Sequence, residues 1–217
     1  MLSKAVDLRE VLQRMRALLV VGWRGTDNFR MQLHDARAGY GWLTIGLHWA
    51  AAIAVIMLWF IGNQMTAANT PADEYASLVR VHTSVAVTVY ALLLYRVFRR
   101  LHIGFPGRSA DQPRPLFRIA RVVHHALLFC ILMMLFSGPL AVWSGGDTIG
   151  FFSFAEIASP FAADEALHEL LEATHRTFAK ISFVVFLIHV AGAFRQILLS
   201  RGETSNRMIV ATEGEPD

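Results

Sequence analysis

The chain has 217 residues, 54% of them hydrophobic and 17% charged, with a mean hydropathy of +0.42. A soluble domain of this length carries about 25% charged residues, and here the apolar residues fall into four long runs separated by polar stretches. The net charge of +3 and pI near 9.4 come from arginines flanking those runs, which suits anionic lipid headgroups and argues against nucleic acid. Cys130 is the one cysteine and lies inside an apolar run, so no internal disulfide, thiol-bound zinc or covalently attached CxxCH haem is open to this chain. It reads as a small hydrophobe in a packed helix.

Residues 1–37 form a basic N-terminal extension. Val6, Leu8, Val11, Leu12, Met15, Leu18 and Leu19 recur at helical spacing among Arg and Lys. The segment reads either as an amphipathic helix on the inner membrane surface or as a misplaced start ahead of Met31. The apolar stretch 17–23 is too short for a signal peptide.

Residues 38–200 then hold four candidate spans, Trp42–Gly62, Leu78–Phe98, Ile119–Val142 and Thr174–Leu199. Each exceeds the roughly 20 residues that cross the hydrocarbon core as a helix, and helix is required because lipid offers backbone groups no partner. The expected fold is an all-α, four-helix membrane bundle. The linker after the first span has Asp73 and Glu74 and no Lys or Arg. The linker after the third has Asp147, Glu156, Asp164, Glu165, Glu169 and Glu172, again with no Lys or Arg. By contrast, Arg99, Arg100, Arg108, Arg114 and Arg118 crowd the middle linker, and basic residues populate both termini. The positive-inside rule places both termini, including a tail of residues 201–217, in the cytoplasm. Phe151, Phe152, Phe154 and Phe161 suggest that the last linker lies along the outer interface.

Nine histidines carry the chemistry. Ionisable residues inside spans are costly and tend to face the bundle interior with a partner. In the fourth span His175 and His189 are 14 residues apart. That is about 40° short of four turns and roughly 21 Å along the axis, so both share a face but cannot share one metal. Matching depths pairs His82 with His175 on the outer side and His48 with His189 on the inner side. Zinc usually wants four ligands, and no Cys, Asp or Glu lies at those depths. Haem iron needs only two axial ligands. Gly46, Gly138 and Gly192 offer room for a flat macrocycle, or simply let helices pack closely.

Several stretches resemble the bacterial cytochrome b561 family of di-haem quinone reductases and superoxide oxidases. They are Tyr40-Gly41-Trp42-Leu43-Thr44-Ile45-Gly46-Leu47-His48-Trp49, Val81-His82-Thr83-Ser84, Arg121-Val122-Val123-His124, Glu172-Ala173-Thr174-His175-Arg176 and Leu187-Ile188-His189-Val190-Ala191-Gly192. The resemblance covers residues 31–209. It implies that His48, His82, His175 and His189 ligate two non-covalent b-type haems in a bacterial inner membrane. It departs from the family at Phe194-Arg195-Gln196, where members often carry a basic residue or histidine.

An iron held by two imidazoles has no open position, so the expected chemistry is electron transfer between an outer donor, superoxide by resemblance, and ubiquinone or another quinone. Arg80, Arg176 and Lys180 lie near His82 and His175 on a side otherwise poor in basic residues. They are expected to neutralise haem propionates, and by resemblance to attract superoxide or a quinone headgroup, with interfacial anchoring as the alternative. His124 and His125 are expected nearer the interface than His48 and His189, as propionate or headgroup contacts ahead of an alternative inner ligand or a quinone-site proton donor, and His168 is expected as a surface histidine. Two other functions fit parts of the pattern: a haem-bearing anchor for a partner dehydrogenase, and a non-redox metal transporter or scaffold. The expected partners are lipids and quinone; the oligomeric state is left open.

Overall fold

The computed structural model describes residues 35, 40–67, 70–105, 107–108, 112–199 and 208. The expectations for the extension before residue 35 and for the tail, apart from Met208, lie outside the described residues. Four helices carry the chain: α1 Trp42–Met65, α2 Ala72–Ile103, α3 Arg114–Ser144 and α4 Glu165–Leu199. All four are long and apolar enough to cross a membrane. The protein is an all-α membrane bundle with one small addition, an antiparallel hairpin of β1 Ile149–Phe151 and β2 Ala155–Ile157.

The helices overrun the expected spans. α2 begins six residues before Leu78 and α4 begins nine before Thr174. Hydropathy detects only the lipid-buried stretch, whereas the helix continues wherever its ends are satisfied. Asp73 and Glu74 favour the positive end of α2, which starts just after Pro71. Gly104, at φ +80°, closes α2 by donating its N–H to the Arg100 carbonyl, and Arg100 donates back to the Gly104 carbonyl at 2.8 Å. Asp164 caps α4 by accepting from Leu167 N–H at 3.0 Å, and its own N–H reaches the last carbonyl of α3, that of Ser144, at 2.8 Å.

The last linker is likewise more ordered than an interfacial loop. It pairs Ile149 with Ile157 and docks on α2 through two bonds. Thr83 Oγ1 donates to the Gly150 carbonyl at 3.0 Å and Phe152 N–H donates to Ser84 Oγ at 2.6 Å. Ser84, fully buried, is therefore the anchor of the hairpin.

Packing is inverted relative to a water-soluble bundle. Trp49, Phe60, Phe98, Phe129, Phe136 and Val184 are exposed along the helices, where lipid would meet them. Small or hydroxylic residues, Thr44, Ala51, Ser84, Cys130, Ser137 and Ser144, are buried between the helices alongside Ile45, Leu93, Val97, Leu128 and Leu135. Ser84 and Ser137 each return a hydrogen bond to the carbonyl four residues back, at 2.6 Å, and among the described residues no buried hydroxyl is stranded. α3 carries Pro139, which leaves the Leu135 carbonyl without its helical donor. Tyr90 of α2 supplies the missing donor, its hydroxyl lying 3.3 Å from that carbonyl.

α1 packs along α2 and α3 along α4, while α2 meets α3 less extensively. Each close pair is antiparallel. α4 thus faces α1 and α2 across a slot spanned by side chains. One end of the bundle carries the hairpin and the other the arginines of α2, α3 and their linker.

Candidate functional site

The slot has two levels, and each helix contributes one residue to each. The two residues on every helix are 14 positions apart: His48 and Gly62 on α1, His82 and Arg96 on α2, His124 and Gly138 on α3, His175 and His189 on α4. Fourteen residues are nearly four turns, so one face of each helix serves both levels, roughly 21 Å apart.

At the hairpin end His82 faces His175, their ring centres 6.4 Å apart and their planes at 79°. Both rings lie against glycine. A Cβ on Gly62 would stand 3.6 Å from His82 Cε1, and one on Gly138 would stand 3.1 Å from His175 Cε1. The second contact leaves no comfortable room for a methyl group. His175 is also oriented by a hydrogen bond. Ser137 Oγ spends its proton on the Met133 carbonyl, so at 3.0 Å from His175 Nδ1 it accepts. The proton is thereby held on Nδ1, and the lone pair of Nε2 is free to bind a metal. His82 Nδ1 is buried, near the Leu58 carbonyl, without a well-formed hydrogen bond.

At the arginine end His48 faces His189 at 6.2 Å and 69°. Beside the facing pair stand two polar side chains, Arg96 of α2 and His124 of α3, whereas beside the pair at the other level stand Gly62 of α1 and Gly138 of α3. Arg96 donates to His48 Nδ1 at 2.8 Å. His124 lies 5.2 Å from His189, and Phe105 stacks on His124 at 5.2 Å. His124 therefore sits deeper than expected, packed against a candidate ligand. His125 is exposed and donates to the Arg121 carbonyl at 2.6 Å, as a separate surface group. Below this level a charged floor closes the bundle. Asp35 accepts from Gly41 N–H at 3.0 Å and pairs with Arg99 at 3.5 Å and Arg100 at 3.8 Å. Arg99 also bonds Thr44, and the Arg100 guanidinium lies 4.9 Å over Tyr40 and 5.3 Å over Phe105.

The other residues singled out in the sequence fall as follows. Arg176 is exposed and ion-paired with Glu172 at 3.1 Å, one turn away on α4. Arg80 is exposed beside the hairpin, its side chain bordering Gly150, and Lys180 is exposed on α4. Nothing lies within 4 Å of a Cβ built on Gly46 or Gly192, so these two glycines border open space whereas Gly138 is a tight contact. His168 is not a free surface group: it is half-buried against Gly145 and bonds the Ala141 carbonyl at 2.8 Å, tying α4 to the end of α3.

The paired rings fit a planar cofactor. Metal–nitrogen bonds of about 2 Å, plus about 1.2 Å from each nitrogen to its ring centre, would put two imidazoles on one metal about 6.4 Å apart. The observed 6.4 Å and 6.2 Å match that separation. Among the described residues no three or more His, Cys, Asp or Glu side chains gather to hold a metal ion.

Residues 39–210 match the sequence model of the family described as prokaryotic cytochrome b561. The chain belongs to that family. It is 24% identical over 171 residues to cytochrome b561 homolog 2 of Escherichia coli (strain K12), covering 78% of this chain and 90% of the relative. It is 23% identical over 178 residues to the probable superoxide oxidase CybB of Yersinia pestis, covering 81% of this chain and 98% of that one. This family member is thus a multi-pass bacterial membrane protein with a redox role, and membership implies b-type haem and electron transfer rather than metal transport or scaffolding.

Arg96 went unnoticed in the sequence although its signal was present: it is an ionisable residue inside a span, 14 positions after His82. Ser137, Gly62 and the contact of His124 with His189 had no comparable signal, because a serine or glycine in a span is ordinary.

Proposed function

We propose that His82 with His175 and His48 with His189 hold two b-type haems, and that the protein carries electrons along them between a donor at the hairpin end and a quinone at the arginine end. The observation that carries this reading is the pair of imidazole separations, 6.4 Å and 6.2 Å, at two levels of one slot. The basic residues of the linkers and tails orient the arginine end toward the cytoplasm. The haem irons would supply one-electron redox chemistry. The chain's residues hold and orient them.

Ser137 fixes the tautomer and ring plane of His175. Gly138 and Gly62 let both rings reach the slot. Arg96 has a different task. Ligation through Nε2 places the proton of His48 on Nδ1, where a guanidinium, a donor only, cannot accept it. Arg96 must then turn from His48, and a haem carboxylate is the partner of matching charge. Arg80, with Arg176 and Lys180, forms a cationic rim at the hairpin end. There it would draw an anionic donor and partner haem carboxylates.

The relative named as a probable superoxide oxidase suggests that donor. Two superoxide ions oxidised to oxygen release two electrons, and a quinone takes two electrons and two protons to become quinol. At the arginine end a cleft lined by Tyr95, Phe98, Arg99, His102 and Ile103, with Asp35, joins apolar walls to hydrogen-bonding groups, as a quinone requires.

The test is an optical spectrum with haem quantitation on the wild type and four single His→Ala variants. His82→Ala and His175→Ala should each lose one and the same haem, and His48→Ala and His189→Ala the other. Full retention in any one variant overturns that pairing. Reduction of added quinone by superoxide, slowed in Arg80→Gln more than with a neutral donor, tests the substrates. Activity only with a co-purified dehydrogenase would point instead to an anchor subunit.

A further inference from the structure

Between the two levels one pair of rings crosses the slot. Trp59 of α1 and Phe183 of α4 stack with centres 4.0 Å apart and planes within 9°. Both residues are half-buried. On α1, Trp59 is 11 residues beyond His48, which is about 20° from it around the helix, so it points into the same slot. On α4, Phe183 lies eight residues beyond His175 and six before His189. The backbone positions are offset in depth, but helical side chains lean toward their own N-terminus. α1 and α4 run in opposite directions, so Trp59 leans toward the arginine end and Phe183 toward the hairpin end. They meet in the gap between the histidine levels.

We propose that the Trp59–Phe183 stack is the packed partition between the two haem levels and the medium through which they exchange electrons. This rests on the two-haem reading above. α4 packs mainly on α3, and α1 on α2, so without a filler the slot between levels would be open to lipid or void. Electron tunnelling decays more steeply across a void than through closely packed atoms. Two stacked aromatic rings fill the space between α1 and α4 with closely packed atoms, and a void there would forfeit those contacts. With haem bound at both levels, the exchange that the stack would serve is the passage of a single electron, one iron losing it and the other gaining it. No bond is made or broken and no proton is required. A residue chosen only to tie α1 to α4 would serve equally well as leucine; the stack makes a different prediction.

Detergent-solubilised, haem-loaded Trp59→Phe, Trp59→Leu and Phe183→Leu are compared with the wild type by haem content, potentiometric titration and electron redistribution after pulse reduction. All three variants should keep both haems at wild-type potentials. Redistribution should slow several-fold in the two leucine variants and stay near the wild-type rate in Trp59→Phe. Unchanged redistribution in the leucine variants overturns the proposal while leaving the two-haem reading intact. So does a slowing accounted for by shifted potentials. Loss of haem from the leucine variants also counts against it, because the stack would then be a scaffold of the sites. A wild type without haem would instead overturn the reading on which the inference rests.

Discussion

The two ends of the slot are built on one plan and filled differently. At the hairpin end the imidazole pair is flanked by Gly62 and Gly138, and the His175 ring is fixed by Ser137. At the arginine end the matching positions of the neighbouring helices are Arg96 and His124, and both touch a candidate ligand. The first arrangement minimises what surrounds the rings; the second adds charge and a further titratable ring. The same protein thus holds one site by shape and the other by polarity. On the two-haem proposal, haems at these two levels should differ in redox potential, which would favour one direction of transfer.

Gly138 gives the sharpest way to break the comparison. A Cβ there would stand 3.1 Å from His175 Cε1, with Ser137 holding the ring from moving. Overpacking of this kind costs about 1–3 kcal/mol. Gly138→Val should therefore abolish haem binding at the hairpin end, with loss of half the haem absorbance and a lowered melting temperature. Gly192→Ala, where nothing lies within 4 Å, is the control and should keep both haems. Equal losses in the two variants would show that glycine serves general helix packing, not the ring.

Much of this contrast was legible in the sequence, and the part that was not has a physical reason. Apolar run length and arginine placement revealed four helices, and the 14-residue spacing of His175 and His189 revealed two levels. The helix overruns at Ala72 and Glu165 were hidden because charged residues outside lipid carry no hydropathy signal. Ser84 as the hairpin's anchor, and Tyr90 as donor to the carbonyl freed by Pro139, depend on contacts between helices. His124 was placed too near the interface because depth was judged from the ends of a span whose helix proved longer.

Arg96 sharpens the comparison at the other end. A nearby positive charge favours the reduced, less positive iron. Arg96→Gln should therefore lower the midpoint potential of the arginine-end haem and leave the hairpin-end haem within error. Unit charges about 8 Å apart at an effective dielectric of about 20 interact by about 2 kcal/mol, so the shift should be on the order of 50–100 mV. A potentiometric titration followed in the α-band reads both haems together. A shift of the same size at both levels would mean that Arg96 acts through the fold and not through the site.

The smallest effect expected concerns how α3 presents Gly138 at all. Pro139 cannot donate to the Leu135 carbonyl, and in a lipid-surrounded bundle that acceptor has no water to turn to. The Tyr90 hydroxyl, 3.3 Å away on α2, fills the gap and joins α2 to α3, which pack on each other less extensively than α1 on α2 or α3 on α4. Tyr90→Phe keeps the ring and removes only the donor, so it should cost about 0.5–1.5 kcal/mol, the net worth of one hydrogen bond. The loss should fall unevenly. His175 leans on Gly138 and Ser137, next to the proline, whereas His189 leans on His124, four turns away on the same helix. A mild chaotrope should therefore strip haem from the hairpin end of Tyr90→Phe before the arginine end, and at a lower concentration than in the wild type. Simultaneous loss of both haems at the wild-type concentration would mean that the bond between Tyr90 and Leu135 is dispensable and that the proline bend is held by packing alone.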